Sequence, residues 1–227
     1  MKTFTNKYLK EIESQIQKIE RSENNEILKS SHILTLLVNK LEELKEFVTS
    51  YEFKSEAEEI SFFKEIKPKI LSRLIYYMSV YKIEVNRPTG SRLTIETYLI
   101  AELDRIKHYF DRNIELYRYY RTGCCHLDEV YFLRNHDTDI PMNIACFYFE
   151  RDVRFSTGYD YKIAKIIANE SLELYLKSEL VKLNGQYQDD VTSALKTRET
   201  WTTSKTDLVE LLYALHSAGC ISLPSLI

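Results

Sequence analysis

The residues most able to do chemistry are thiols and imidazoles in the middle of the chain. Cys124, Cys125 and His126 are consecutive, and His136 and Cys146 follow them. Thiolate sulfur and imidazole nitrogen are the ligands that zinc prefers. Structural zinc sites, however, take their ligands as pairs separated by about two to five residues, and no such pair occurs here. We therefore expect buried thiols at a helix end and no bound metal.

Other catalytic arrangements have little support in the sequence. The segments RPTGSR and STGYD carry one glycine each, so neither resembles a glycine-rich phosphate loop. The carboxylates Asp137 and Asp139, and the pair Asp189 and Asp190, lie in polar segments where solvated acids are usual. A Cys/His nucleophile needs a base within about 2.6–3.2 Å of the thiol, and nothing else in the chain supports one. We therefore expect that the protein is not an enzyme and that it has neither a catalytic residue nor a cofactor.

Cations and hydroxyl groups gather near the carboxy-terminal end of the chain. Ser204-Lys205-Thr206-Asp207 has the form of a capping box, in which the serine and aspartate side chains satisfy free amides at a helix start. Helix N-termini and hydroxyl groups bind phosphate, and lysines nearby add affinity through counterion release. The residues that we predict to contact DNA are Lys196, Arg198, Thr202, Thr203, Ser204 and Lys205.

A second candidate surface lies between Phe62 and Arg121, where tyrosines and basic residues recur at helical spacing around one turn, Asn86–Ser91. Tyrosine and arginine are enriched at recognition surfaces. The alternative basic and aromatic patch comprises Arg87, Arg92, Arg118 and Arg121. The same tyrosines can instead pack on one another with their hydroxyl groups paired. The sequence leaves both interpretations open.

Composition limits the class of protein. The chain has 227 residues, of which 44% are hydrophobic and 29% charged, as is usual for a globular protein with a core. A net charge of −3 is not that of a general nucleic-acid binder, so any DNA contact has to be local. No apolar run approaches the ~20 residues that span a bilayer. The amino terminus lacks an apolar signal segment, and the cysteines show no spaced framework, which predicts a cytoplasmic protein.

Glycine and proline are few and stand where helices would end, which predicts an all-α fold. We predict an amino-terminal helical bundle over 1–122, a connector over 123–156 and a smaller helical unit over 157–227. In the last unit, a helix over 159–183 is expected to stop at Gly185, and a capped helix follows Ser204. That capped helix is expected to bury Leu208, Leu211, Leu212 and Leu215. The unit could form a helix-turn-helix or winged-helix module. The connector between its two helices, however, is longer than the turn of about 3–4 residues in the simple motif.

Seven blocks of sequence, in this order, resemble the RteC family. They extend over most of the chain and consist of long patterns, not of a catalytic signature. The blocks are FFKEIKP (62–68), LIYYMSVYKIE (74–84), RPTGS (87–91), YLIAELDRIKHYFDRNIELYRYYRTG (98–123), LDEVYF (127–132), DYKIAKIIANE (160–170) and SKTDLVELLYALHSAG (204–219). The tail Cys220–Ile227 is apolar and uncharged, whereas the resemblance implies further helical sequence after the last block.

The resemblance implies a regulator of tetracycline-inducible conjugative transposons that activates the genes for excision and transfer. Together with the hydroxyl-rich helix start, it leads us to expect a transcriptional activator that binds double-stranded promoter DNA. A helical adaptor that contacts another protein and no DNA is the alternative. The transcription machinery and a second copy of the chain stay open as further partners, and no membrane association is expected.

Overall fold

Helices connected by turns make up the fold. The structure, a computed structural model, describes residues 2–134, 152–195, 202 and 204–220. Within these ranges no strand occurs, which confirms the all-α prediction. The helices are α1 (Lys2–Ser22), α2 (Glu26–Ser50), α3 (Glu56–Ser61), a π-helical turn (Phe62–Ile66), α4 (Lys67–Val85), α5 (Arg92–Arg112), α6 (Ile114–Arg121), α7 (Asp128–Phe132), α8 (Tyr159–Leu195) and α9 (Lys205–Ser217).

Local side-chain chemistry sets several helix boundaries. The side chain of Asn25 accepts hydrogen bonds from two backbone amides at the start of α2. Ser91 does the same for the amide of Thr94 at the start of α5. Pro68 lies in the first turn of α4, directly after the π-helical turn, in which the amide of Lys67 donates to the carbonyl oxygen of Phe62. These three positions are the helix starts that the sequence indicates.

The chain divides into two compact units, Met1–Leu183 and Asn184–Ile227. The sequence pattern assigns residues 157–183 to the carboxy-terminal unit. Their side chains pack in the first unit instead, because Ala164 and Ala168 are small and lie buried against α4. An apolar stripe on a helix shows that the helix packs, but it does not show which neighbours it packs against.

Gly185 does not end α8 as predicted, since the helix continues to Leu195. Glycine inside a helix costs about 1 kcal/mol relative to alanine but remains compatible with helical backbone. A glycine that stops a helix adopts a positive φ, as Gly219 does after α9 with φ 73°. Gly185 has no positive φ, and a Cβ added there would meet open space.

The core of the first unit has two main parts. The larger part lies between α1, α2, the π-helical turn and α4, where Ile16, Leu37, Phe62 and Phe63 are fully buried. A smaller cluster joins the end of α4 to α5 and α8. Together the clusters hold α4 at the centre of this unit, with the first part of α8 packed along it.

Candidate nucleic-acid interface

The start of α9 has the predicted capping box. The amide of Asp207 donates to Ser204 Oγ at 3.2 Å, and the amide of Ser204 donates to Asp207 Oδ2 at 3.2 Å. The backbone amides of Lys205 and Thr206 have no hydrogen-bond partner within the described part of the chain. Two donors at a helix N-terminus therefore remain for an anionic group.

Three of the six predicted DNA contacts lie within the described residues. Thr202, Ser204 and Lys205 are all exposed at this helix start. Lys196, Arg198 and Thr203 lie outside the described residues, so their placement stays a prediction. The three described groups can present a hydroxyl, a cation and free amides to a phosphate from one end of α9.

The charges on α9 are mixed. Asp207 is in the first turn and Glu210 follows one turn later, whereas Lys205 is the basic residue at the start. Acidic groups at a helix N-terminus stabilise the helix but repel phosphate. Positive charge on α9 is therefore confined to the side of the helix start that carries Lys205, and α9 has no uniformly basic face.

The predicted buried face of α9 is wrong. Leu211 and Leu212 are 44% and 42% exposed, Leu208 and Leu215 are partly exposed, and no residue of this helix is buried. The spacing correctly indicates an amphipathic helix, but no described element covers its apolar side. The additional apolar residues Val209 and Tyr213 are also exposed, at 49% and 70%.

The arginines of the alternative patch each have a neighbour that limits their freedom. Arg87 Nη2 lies 2.8 Å from Glu179 Oε2 and 3.0 Å from Glu84 Oε1, so its guanidinium joins the end of α4 to α8. The other three lie close to side chains of their own helices: Arg92 to Glu96 at 3.9 Å, Arg118 to Glu115 at 3.4 Å, and Arg121 to the hydroxyl of Tyr117 at 3.3 Å. Arg87 therefore has an intramolecular role in the first unit.

The tyrosines around the turn Asn86–Ser91 are packing residues. Tyr77 and Tyr119 are buried, and the other six are partly buried: Tyr76, Tyr81, Tyr98, Tyr109, Tyr117 and Tyr120. The hydroxyl of Tyr77 donates to Glu20 at 2.7 Å, and that of Tyr119 donates to Asp128 at 2.6 Å. Burial raises the pKa of both phenols, and the nearby carboxylates add to the effect. Of the two interpretations left open by the sequence, packing is the one that these interactions favour.

The thiols and imidazole near the end of α6 are not arranged as a metal centre. Cys124 is partly buried with Sγ 3.1 Å from Thr122 Oγ1, and Cys125 and His126 are exposed. In the described ranges no three His, Cys, Asp or Glu side chains converge to hold an ion. His136 and Cys146 lie outside those ranges. Among the described helices, none has the length and apolar character that crossing a membrane requires.

The fold is all-helical in the described residues, with a small helical unit at its carboxy-terminal end. The chain belongs to the RteC family: the family model described as RteC protein matches residues 61–224. Membership in this family implies a regulator of the excision and transfer of conjugative transposons. No curated protein and no solved structure matches the chain.

Proposed function

We propose that this RteC-family protein is a DNA-binding transcriptional activator of excision and transfer genes in a tetracycline-inducible conjugative element. The observation that carries the proposal is the match to the family over 61–224, a range that includes the capped helix α9. The proposal involves no catalytic step, metal or cofactor, and it places the protein in the cytoplasm with promoter DNA as its partner.

The start of α9 supplies the chemistry for a phosphate contact. Two unpartnered backbone amides, the hydroxyl of Thr202 and the ammonium group of Lys205 lie within a few residues of one another in this part of the chain. Each type of group is a common partner of DNA phosphates. A positive helix end and a nearby lysine also favour an anion electrostatically. In this proposal α9 belongs to a helix-turn-helix type of unit, and its amino-terminal end approaches the duplex.

Residues 157–227 carry mixed charge, which limits how strongly they can attract DNA. This range holds seven basic and nine acidic residues, so general attraction to DNA is weak. Lys196 and Arg198 precede α9 in the sequence and would provide the remaining cations beside Lys205. We therefore expect few phosphate contacts, a modest dependence on salt and a large contribution from direct recognition of bases.

A gel mobility-shift titration of the full chain over a series of salt concentrations tests this proposal. The duplex is the promoter region of the excision genes, and the variant is Lys196→Ala/Arg198→Ala/Lys205→Ala. We expect weaker binding and a salt slope reduced by about 0.9 for each phosphate that is no longer neutralised. The matched control, Lys7→Ala/Lys18→Ala/Lys107→Ala, removes three exposed lysines elsewhere and should bind as the unmodified protein does.

A variant with two arginine substitutions shows where on the chain the DNA contact would lie. Arg87→Ala/Arg92→Ala changes the turn before α5 and leaves α9 intact. Because Arg87 also pairs with Glu84 and Glu179, circular dichroism must show that this variant keeps its helix content. If it then loses binding while the α9 triple variant binds as tightly as the unmodified protein at every salt concentration, the DNA contact lies at the turn. If the unmodified chain binds no promoter fragment of the element, DNA binding itself is excluded.

The alternative function is a helical adaptor that contacts a protein. The observation that favours it is the exposed apolar side of α9, with Val209, Leu211, Leu212 and Tyr213. The test is Val209→Ser/Leu212→Ser, measured both by mobility shift and by expression of the excision genes. Abolished expression with unchanged DNA binding would indicate that α9 contacts the transcription machinery. Activation by a chain that binds no DNA would establish the adaptor.

A further inference from the structure

A cavity of about 620 Å³ lies within the first unit, between the second half of α4, α5 and the first part of α8. Its volume is in the range of small-molecule sites in proteins. Ile83, Ile106 and Leu172 form an apolar part of its wall. No residue of α9 lines the cavity, and no step of the proposed DNA contact uses it.

Asn169 on α8 contributes an amide side chain to this wall. The residue is 2% exposed, and its side chain forms no hydrogen bond within the described part of the chain. An amide side chain offers two donor hydrogens and an acceptor oxygen. Because Asn169 lines the cavity, these groups are available to a ligand that enters it.

Two lysines of the wall carry charges that no acid balances. Lys82 on α4 and Lys165 on α8 form no ion pair within the described residues. Burial lowers the pKa of Lys165, and the like charge of Lys82 lowers it further. Glu102 also lines the cavity, but it pairs with Arg105, so these two charges offset each other. The wall therefore has an excess of positive charge.

Two tyrosine rings complete the lining. The hydroxyl of Tyr98 donates to the carbonyl oxygen of Ile83 at 3.1 Å, and that of Tyr109 donates to the carbonyl oxygen of Lys162 at 3.4 Å. Because both hydroxyl groups are engaged, the rings and not the hydroxyls are available to a ligand. Ring faces and edges favour a flat aromatic neighbour.

We propose that this cavity is a binding site for a small aromatic anion, such as an aromatic carboxylate or sulfonate. The acidic group of the ligand lies between Lys82 and Lys165 and accepts a hydrogen bond from the amide of Asn169. Its aromatic body packs on Ile83, Ile106 and Leu172 and on the tyrosine rings. Such a ligand satisfies the amide and balances the two ammonium groups in one step.

The test is a fluorescence titration of the full chain with 1-anilinonaphthalene-8-sulfonate, an aromatic sulfonate. The uncharged probe N-phenyl-1-naphthylamine has the same aromatic body without the sulfonate. We expect saturable binding of one sulfonate probe per chain. Lys82→Met/Lys165→Met and Asn169→Leu should each weaken it by roughly tenfold or more, because each removes a hydrogen bond to a charged group. Affinity for the uncharged probe should not fall in these variants.

Two controls separate the two cavity charges from a general change of charge and from folding. Lys107→Met removes an exposed lysine of α5 outside the cavity wall and should bind as the unmodified protein does. Lys82→Arg/Lys165→Arg retains both charges and should retain most of the affinity even if the methionine pair is poorly folded. The proposal is overturned if the unmodified chain shows no saturable binding. It is also overturned if neither Asn169→Leu nor the methionine pair weakens binding, or if Lys107→Met weakens it equally.

Discussion

The ammonium group of Lys67 on α4 and the carboxylate of Asp160 on α8 form a direct ion pair in the core, between Nζ and Oδ2. Their side chains are only 4% and 0% exposed. Nζ also donates to the carbonyl oxygen of Phe155 and lies 4.2 Å from the centre of the Phe155 ring. Burial lowers the pKa of Lys67, and the attraction of Asp160 opposes that shift. The pair fixes the start of α8 against the start of α4.

The second carboxylate oxygen of Asp160 organises the segment that leads into α8. Oδ1 accepts hydrogen bonds from Ser156 Oγ at 3.0 Å, from the amide of Gly158 at 3.1 Å and from the amide of Tyr161 at 2.8 Å. Both oxygens are therefore occupied, which is what a buried carboxylate requires. Asp160 consequently acts both as the partner of a buried cation and as a local support for the helix start.

Removing the charge of Asp160 should destabilise the first unit strongly. Asp160→Asn preserves shape and the Oδ1 acceptor, but it leaves the Lys67 ammonium buried without its counterion. We expect a loss of about 3–5 kcal/mol in the free energy of unfolding, measured by urea denaturation. Lys67→Met/Asp160→Asn removes both charges and should be more stable than Asp160→Asn alone. If the double variant loses as much free energy of unfolding as Asp160→Asn, or more, the two charges are not coupled.

The sequence alone does not indicate the ion pair between Lys67 and Asp160. Lysine is almost never fully buried unless it is paired, so Lys67 in the FFKEIKP block has the pattern of a solvated residue. Its partner is 93 positions away and belongs to a segment, STGYD, whose glycine and aspartate suggest only a turn. Composition and periodicity describe local structure, whereas a long-range ion pair depends on which helices meet.

The apolar stripes, by contrast, predict much of the core. On α2, leucine and valine side chains follow one another at spacings of three and four residues: Leu34, Leu37, Leu41, Leu44 and Val48. Of these, Leu37, Leu44 and Val48 are buried and the other two are partly buried. Ala168 and Leu172 are likewise buried on α8. Periodicity succeeds here because a helix can hide only one face. It fails for α9, whose leucines repeat at the same spacing, because burial also needs a covering element.

A charge in the α2 stripe should unfold the bundle. Leu37 is 0% exposed, so Leu37→Asp places an unpaired carboxylate in the core. We expect a loss of more than about 4 kcal/mol in the free energy of unfolding. Leu93→Asp is the matched control, since Leu93 is 71% exposed in the first turn of α5, and its effect should be within about 0.5 kcal/mol. Circular dichroism melts that are alike for both variants would refute the assigned core.

Alkaline pH should weaken the first unit through its buried phenols. Burial raises the pKa of Tyr76 to about 12, and the carboxylates of Glu26 and Glu20 contribute, with Arg73 opposing them. An unfolded tyrosine titrates near about 10, so the folded chain holds this proton more tightly. The corresponding stabilisation is complete below about pH 10 and disappears as the pH rises through about 12.

Tyr76→Phe isolates this contribution. The substitution keeps the ring and removes the titrating hydroxyl, so the loss of stability between about pH 10 and about pH 12 should be shallower than in the unmodified protein. Urea unfolding at several pH values measures the slope. Tyr213→Phe, at a phenol that is 70% exposed, should leave the slope unchanged. An identical slope in Tyr76→Phe would show that its phenol does not contribute.

The candidate site can be predicted only in part. Ser204 and Asp207 form the capping box that their spacing indicates, because capping is a local interaction within one turn. The arginine patch is less predictable, since the partner of Arg87 is Glu179, 92 positions away on α8. Side-chain type identifies cations that are able to bind phosphate, but long-range packing determines which of them are already engaged.

Aspartate substitutions at two helix caps test whether the start of α9 contacts DNA. Aspartate is as good an N-cap as serine, so Ser204→Asp keeps the start of α9 while adding a negative charge there. We expect weaker promoter binding, with a salt slope reduced by about 0.9 if one phosphate is no longer neutralised. Ser204→Ala separates the two effects, since it should cost about 1 kcal/mol of helix stability without adding charge.

Ser91→Asp makes the same change at the N-cap of α5, between Arg87 and Arg92. If the start of α9 contacts DNA, this variant should bind the promoter as the unmodified protein does. Mobility shifts over a salt series measure binding, and circular dichroism verifies that both aspartate variants keep their helix content. The reverse result, with Ser91→Asp weakened and Ser204→Asp unaffected, would move the contact from α9 to the turn before α5, because only a nearby phosphate is repelled by the added carboxylate.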